Sequence, residues 1–304
     1  MPQSTKHHGA LLVKWRIIFL PQSLTFESME DANLTVEKKS LNAVTTERRI
    51  IYSDFLERDV IVDVYLPAHT LHLENAGLLL INDGQDLVKM NFAAILDPLI
   101  SSKKIEPVIC VGIHCGADRR MEYGTACQAD YKGRGARAGL HTKFVFDELL
   151  PEIRKAYNIT SFKEKSFAGF SLGGLSALDI VWNHAAEFTK TGIFSGSFWW
   201  RRKGYNEGYD DDKDRIMHMQ IKKGTYKPWL KFFIQTGLLD ETADRNNNGI
   251  IDSVEDAIDL ITDLKQKGYT DEQIKYVELE DGRHDVETWA RALPEFLVWG
   301  WGIR

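Results

Sequence analysis

Apolar positions along the chain fall into short runs that alternate with longer stretches of helical spacing. Val60 to Leu66, Leu78 to Ile81, Val108 to Ile113 and Leu230 to Gly237 are brief aliphatic or aromatic runs closed by polar or glycine-containing segments, the pattern of mostly buried strands. Near Leu87 to Ile100 and near Lys143 to Tyr157, apolar residues recur at three- and four-residue spacing and predict helices. Ser166 to Ala168 predicts a strand that leads into a helical run from Leu175 to His184. Val254, Ala257, Ile258, Ile261 and Leu264 mark a further helix that Gly268 ends, and Ile274 to Leu279 alternates like a strand before a helix carrying Trp289, Leu293 and Phe296. This alternation predicts an α/β fold with a mostly parallel central sheet and helices on both faces. The opening runs, Ile50 to Ser53 and Val60 to Leu66, flank a short polar turn and predict an antiparallel edge.

At 304 residues and 43% hydrophobic content, the chain is long enough for one large core, and residues 46–304 read as a single catalytic domain. Residues 1–45 read as a poorly ordered N-terminal extension. Within it, Leu11 to Leu20 is interrupted by Lys14 and Arg16 and no small-residue cleavage site follows, so it predicts neither a secretion signal nor a membrane span. A net charge of -6 without a basic cluster argues against nucleic acid and for a small-molecule partner. Three cysteines are too few for a disulfide framework, which favours a cytoplasmic setting while leaving a periplasmic or secreted one open. Cys115 and Cys127 are the one pair that a loop would bring together. The pattern fixes no oligomeric state.

The chemistry concentrates at Gly169-Phe170-Ser171-Leu172-Gly173-Gly174, between a strand and a helix. A serine between glycines at such a turn is the nucleophile elbow of the α/β-hydrolase fold. The turn lifts the hydroxyl above the sheet and aims the helix N-terminus at charge developing beside it. Serine needs a base and an acid to act as nucleophile. Asp240 stands just past the strand ending at Gly237, and His284 lies on the loop after the next strand. Ser171, Asp240 and His284 thus follow the order Ser, acid, His along the chain. Glu241 is the rival acid, one residue further from its strand. His114 precedes the serine and would break the order, and His184 reads as helix-end chemistry. His7, His8, His69, His72, His141 and His218 show no partner. For the oxyanion hole the expected donors are the N–H of Leu172 and that of Gln85 in the loop Asn82-Asp83-Gly84-Gln85, where a plain turn is the competing reading.

Past the acid, residues 244–255 run Asp-Arg-Asn-Asn-Asn-Gly-Ile-Ile-Asp-Ser-Val-Glu. Side-chain oxygens at Asp244, Asn246, Asn248, Asp252 and Glu255, a main-chain carbonyl at Ile250 and glycine at the sixth place follow the EF-hand pattern and predict a structural Ca2+. The competing reading is a helix-capping loop with Asp252 as N-cap and Glu255 completing a capping box. No entering helix precedes it, and no organic cofactor is implied.

Taken in order, Asp83-Gly84-Gln85-Asp86, the elbow, Ser195-Gly196-Ser197-Phe198-Trp199-Trp200, Asp240, and Gly282-Arg283-His284-Asp285 with Trp289 resemble the Putative esterase family of α/β-hydrolases. That family includes enterochelin esterases, S-formylglutathione hydrolases, feruloyl and acetyl-xylan esterases, and mycolyltransferases. The resemblance spans roughly residues 46–304 and implies a serine carboxylic-ester hydrolase without a separate lid domain. The calcium loop is no part of it. Arg120, Tyr123, Trp199 and Trp200 are the expected cleft residues, suited to siderophore, phenolic or sugar esters, with simple cleft walls as the alternative. Acyl transfer on the same triad and a catalytically silent ligand-binding homologue are the competing functions.

Overall fold

The computed structural model of the chain describes residues 35–68, 70 and 73–303. Its strands are β1 (Thr35–Ser40), β2 (Val44–Ser53), β3 (Arg58–Pro67), β4 (Gly77–Asn82), β5 (Val108–Ile113), β6 (Lys165–Phe170), β7 (Lys190–Phe194), β8 (Lys231–Leu239) and β9 (Ile274–Arg283). They form one nine-stranded sheet in the order β1, β2, β3, β5, β4, β6, β7, β8, β9. Pairing is antiparallel from β1 through β3 to β5, and parallel from β5 through β4 to β9. This is the α/β-hydrolase arrangement that the apolar pattern predicts.

The helices are α1 (Gly84–Lys89), α2 (Phe92–Ser101), α3 (Arg119–Glu122), α4 (Ala138–Lys143), α5 (Leu150–Tyr157), α6 (Leu172–Asn183), α7 (Asp211–Asp214), α8 (Ile216–Lys223), α9 (Asp252–Lys267) and α10 (Val286–Trp301). A π-helical stretch, Phe144–Leu149, joins α4 to α5. Successive residues of β4 point to opposite faces, and so to two apolar layers. Leu78 and Leu80 pack with Phe144, Ile153, Leu175 and Leu260, whereas Leu79 and Ile81 pack with Phe92, Leu96, Leu293 and Phe296. All of β4 and β5 is buried, which is why both read as unbroken apolar runs.

Two predicted boundaries differ. The helix expected from Leu87 to Ile100 is two helices, because Asn91 adopts a left-handed conformation (φ 52) that asparagine tolerates and that ends a helix. The expected domain boundary at residue 46 falls inside β2, since β1 adds a strand ahead of it. β1 is an edge strand of mostly polar sequence, without an apolar face to betray it. The earlier part of the expected extension lies outside the described residues, as do His7, His8, His69 and His72.

Candidate active site

Parallel strands bring the carboxyl ends of β4, β6, β7, β8 and β9 to one edge of the sheet, where loops can converge. Ser171 occupies the turn from β6 to α6 with φ 55 and ψ −122, a backbone conformation rare for a residue with a Cβ. Glycines make the turn possible. A Cβ on Gly169 would stand 2.4 Å from the Gly173 carbonyl oxygen, and one on Gly173 would stand 2.4 Å from Asp83 Oδ2. Main-chain bonds hold the strained residue: its N–H donates to the Phe194 carbonyl at 2.8 Å, and its carbonyl accepts from Ser197 at 3.2 Å.

His284 leaves the end of β9 and places Nε2 2.9 Å from Ser171 Oγ. Its Nδ1 faces Asp240 Oδ2 at 3.8 Å, an ion-pair separation longer than a hydrogen bond. The Asp240 side chain is fully buried, and neither of its carboxylate oxygens has a hydrogen-bond partner among the described residues. β8 continues two residues past the predicted end at Gly237 because its backbone is pressed against that of β9. A Cβ on Gly237 would stand 2.5 Å from the Gly282 carbonyl oxygen. Asp240 and His284 therefore leave the sheet side by side.

A buried network braces the elbow from the β4 side. Arg119 donates from Nε and Nη2 to the two oxygens of Asp83, both at 2.7 Å, and from Nη2 to the Phe170 carbonyl at 3.3 Å. Asn82 Nδ2 donates to the Gly173 carbonyl at 2.9 Å, while its Oδ1 lies 3.1 Å from His141 Nε2. Complete burial lowers the His141 pKa to about 3, so the ring stands neutral in this network.

A family model described as Putative esterase matches residues 53–299. The chain belongs to this family. It is a carboxylic-ester hydrolase, with solved structures of similar fold. A ferulic acid esterase is 18% identical, with 84% of this chain and 97% of that chain covered at a TM-score of 0.63. Enterochelin esterase from Shigella flexneri is 20% identical at a TM-score of 0.64, with 83% of this chain covering 57% of the other. The BES protein from Bacillus cereus is 20% identical at a TM-score of 0.64, with 88% and 100% covered. A search of curated protein sequences returned no match.

The cleft of this esterase beside Ser171 holds about 250 Å³ and is walled, besides Asp240 and His284, by Ser195, Gly196, Ser197, Trp199, Glu241 and Ser253. Of the four expected cleft residues only Trp199 lines it. Tyr123 is 1% exposed, with its hydroxyl accepting from the Asp83 N–H at 3.2 Å. Trp200 is 0% exposed and donates from Nε1 to Thr125 Oγ1 at 3.1 Å. Arg120 is exposed on α3, away from the cleft walls. Tyr123 and Trp200 thus belong to the buried core and not to the cleft. Gln85 lies in the first turn of α1, and its side-chain Oε1 accepts from the Cys115 N–H at 3.1 Å.

Ser195, Ser197, Glu241 and Ser253 are cleft walls that the sequence pattern does not single out as such. Ser197 Oγ lies 3.5 Å from Ser171 Oγ. The available signal was position: Ser-Gly-Ser directly follows β7, the parallel neighbour of β6, and Glu241 adjoins the acid. Burial raises the Glu241 carboxyl pKa above the ordinary carboxylate value. The remaining described histidines serve elsewhere. His114 Nε2 is 2.7 Å from Asp63 Oδ2, the His184 ring packs 4.5 Å from that of Phe146, and His218 Nδ1 is 2.9 Å from Asp263 Oδ2.

The calcium expectation gains no support from carboxylate geometry: among the described residues no group of three or more His, Cys, Asp or Glu could hold a metal ion. The loop's acids are engaged within the protein. Glu255 Oε1 accepts from the Asn246 and Asn248 side-chain amides at 2.7 and 2.6 Å, and Asp244 accepts from the N–H of Asn248 and Gly249. Asp252 Oδ1 accepts from the Arg245 N–H at 2.8 Å rather than capping α9. Cys110, Cys115 and Cys127 are all free thiols. No helix among the described residues is long and apolar enough to cross a membrane.

Proposed function

We propose that the esterase works through an acyl-enzyme on Ser171, with His284 as base and Asp240 as the acid that orients it. The observation that carries this reading is the 2.9 Å contact from His284 Nε2 to Ser171 Oγ on a strained strand-to-helix turn. His284 takes the hydroxyl proton as Ser171 Oγ attacks the ester carbonyl carbon, and returns it to the leaving alcohol as the C–O bond breaks. Water, deprotonated by the same imidazole, then attacks the acyl carbon, releasing the acid and restoring the serine. Asp240 stabilises the imidazolium formed at each step, and its buried, otherwise unpartnered carboxylate suits that role. The N–H groups of Leu172, first residue of α6, and Gln85 are the proposed donors to the oxyanion.

The cleft offers serine hydroxyls, the Glu241 carboxyl and the Trp199 indole, with no lysine or arginine among its described lining residues. That set favours a neutral phenolic or sugar ester over an anionic catecholate. His284 is 41% exposed, so water reaches the base, which supports hydrolysis over acyl transfer. The test is turnover of p-nitrophenyl acetate and butyrate by wild type and Ser171→Ala, with an alcohol acceptor added in a second series. Turnover lost in the variant and free acid as the dominant product support the proposal. Equal rates in both proteins sink it.

A second, smaller proposal is that residues 244–255 take up Ca2+. Its support is the run of oxygen-bearing side chains at the first, third, fifth, ninth and twelfth places of the loop, with glycine at the sixth. Arg245 works against it, with its guanidinium 3.4 Å from Asp252 and 3.6 Å from Glu255. A melting temperature that rises with calcium in wild type and not in Glu255→Gln would support uptake, and no rise in wild type would reject it.

A further inference from the structure

At the opposite edge of the sheet, the amino-terminal ends of β4, β6, β7 and β8 and the last turn of α10 enclose a second cleft of about 390 Å³. That volume lies within the ~300–1,000 Å³ usual for small-molecule sites. Its walls gather three lysines, Lys163, Lys190 and Lys231, and two indoles, Trp229 and Trp301. Two carboxylates answer two of the lysines: Glu164 lies 2.5 Å from Lys190 and Glu106 lies 3.4 Å from Lys163. Lys231 has no ion-pair partner among the described residues, so the walls carry one uncompensated positive charge. Burial, together with Lys231 and Lys163 nearby, holds the Lys190 ammonium below its ordinary pKa in spite of Glu164.

Trp301 supplies the second observation. It is 4% exposed, and its Nε1–H has no hydrogen-bond partner, a costly omission for a buried donor. A Cβ on Gly77 would stand 2.8 Å from that nitrogen, so the donor lies packed against Gly77, which with Trp301 itself lines the cleft. Lys190 Nζ lies 4.8 Å above the same ring. Trp229, half exposed at the rim, already donates its own N–H to the Ala185 carbonyl at 2.7 Å, which leaves its ring face as the surface on offer.

We propose that this cleft binds a small aromatic carboxylate, its carboxylate set among the lysines and accepting from Trp301 Nε1–H, its ring against Trp229. The assignment is independent of the acyl-enzyme reading.

The test is calorimetric titration of the full-length protein with sodium benzoate at constant ionic strength, repeated with inorganic phosphate. Two variants report on the cleft. Lys231→Gln removes the unpaired cation from an exposed position. Gly300→Leu fills the space, because a Cβ there meets only Lys190 Cδ, at 3.8 Å, and a helical glycine accepts a side chain readily. The expected result is one saturable benzoate site in wild type, at least tenfold weaker in each variant, with ester turnover and melting temperature of the variants at wild-type level or above. No saturable binding, or equal affinity in wild type and both variants, overturns the proposal. Phosphate binding as tightly as benzoate overturns the aromatic carboxylate assignment.

Discussion

The imidazole of His284 stands edge-on to the indole of Trp289, with ring centroids 5.4 Å apart and planes at 83°. Trp289 in turn stacks on Phe170, the residue before the elbow serine, at 5.1 Å and 18°, and donates from Nε1 to Ser195 Oγ at 2.9 Å. One buried indole thus sets the base, the elbow and the β7 loop against each other. Trp289→Ala should lower kcat roughly 10- to 100-fold and destabilise the fold by about 3–5 kcal/mol through the cavity it leaves. Trp289→Phe, which keeps the ring contact and loses the hydrogen bond, should cost about 1 kcal/mol and leave kcat within a few-fold. Kinetics paired with denaturant melts of both variants check this.

The choice of acid is tested by Asp240 against its neighbour Glu241. Asp240→Asn should lower kcat on the order of 10³- to 10⁴-fold with little change in KM, because the imidazolium loses its counter-charge. Glu241→Gln should cost less than about tenfold. A larger loss in Glu241→Gln would reassign the acid.

How far the site was legible follows from what each residue depends on. Ser171, its flanking glycines and the strand before it are local: the turn is too tight for a Cβ at Gly169 or Gly173, so the residue types reveal the geometry. Val108 to Ile113 is legible for the same reason, since a strand buried on both faces has to be apolar throughout. Tyr123 and Trp200 mislead because an aromatic residue in a loop reads alike whether it faces a cleft or the core, and only packing decides. β1 is hidden by its polar edge position. The loop at 244–255 shows oxygen donors in sequence, but not the Arg245 guanidinium folded back onto Asp252 and Asp256.

Arg119 balances Asp83, whose side chain is 1% exposed, directly beneath the elbow. Arg119→Met should destabilise by about 3 kcal/mol or more by stranding a buried carboxylate, and should depress kcat along with it. Arg119→Lys should recover part of the stability and less of the activity, because one ammonium cannot reproduce the two-pronged contact. Melting temperatures that match wild type in Arg119→Met would remove Asp83 and Arg119 from this role.

His141 predicts a pH dependence. The unfolded chain takes up the histidine proton below about pH 6.5, whereas the folded protein does so only near 3. Its contribution is therefore complete above 6.5 and is lost as pH falls through that window, on the order of 5 kcal/mol in all. His141→Gln, which retains a donor for Asn82, should flatten the acid side of the stability profile. Urea melts from pH 7 to 4 on both proteins give the comparison, and parallel profiles would exclude His141 as the source.

The central claim is that Ser171 becomes covalently acylated. Its most direct test is reaction of the protein with diethyl p-nitrophenyl phosphate, followed by intact-mass measurement and peptide mapping. The account predicts one phosphoryl group per chain, carried on Ser171, with release of p-nitrophenol and parallel loss of esterase activity, and no labelling of His284→Ala on the same timescale. Labelling at another residue, or full esterase activity in the labelled protein, would contradict it.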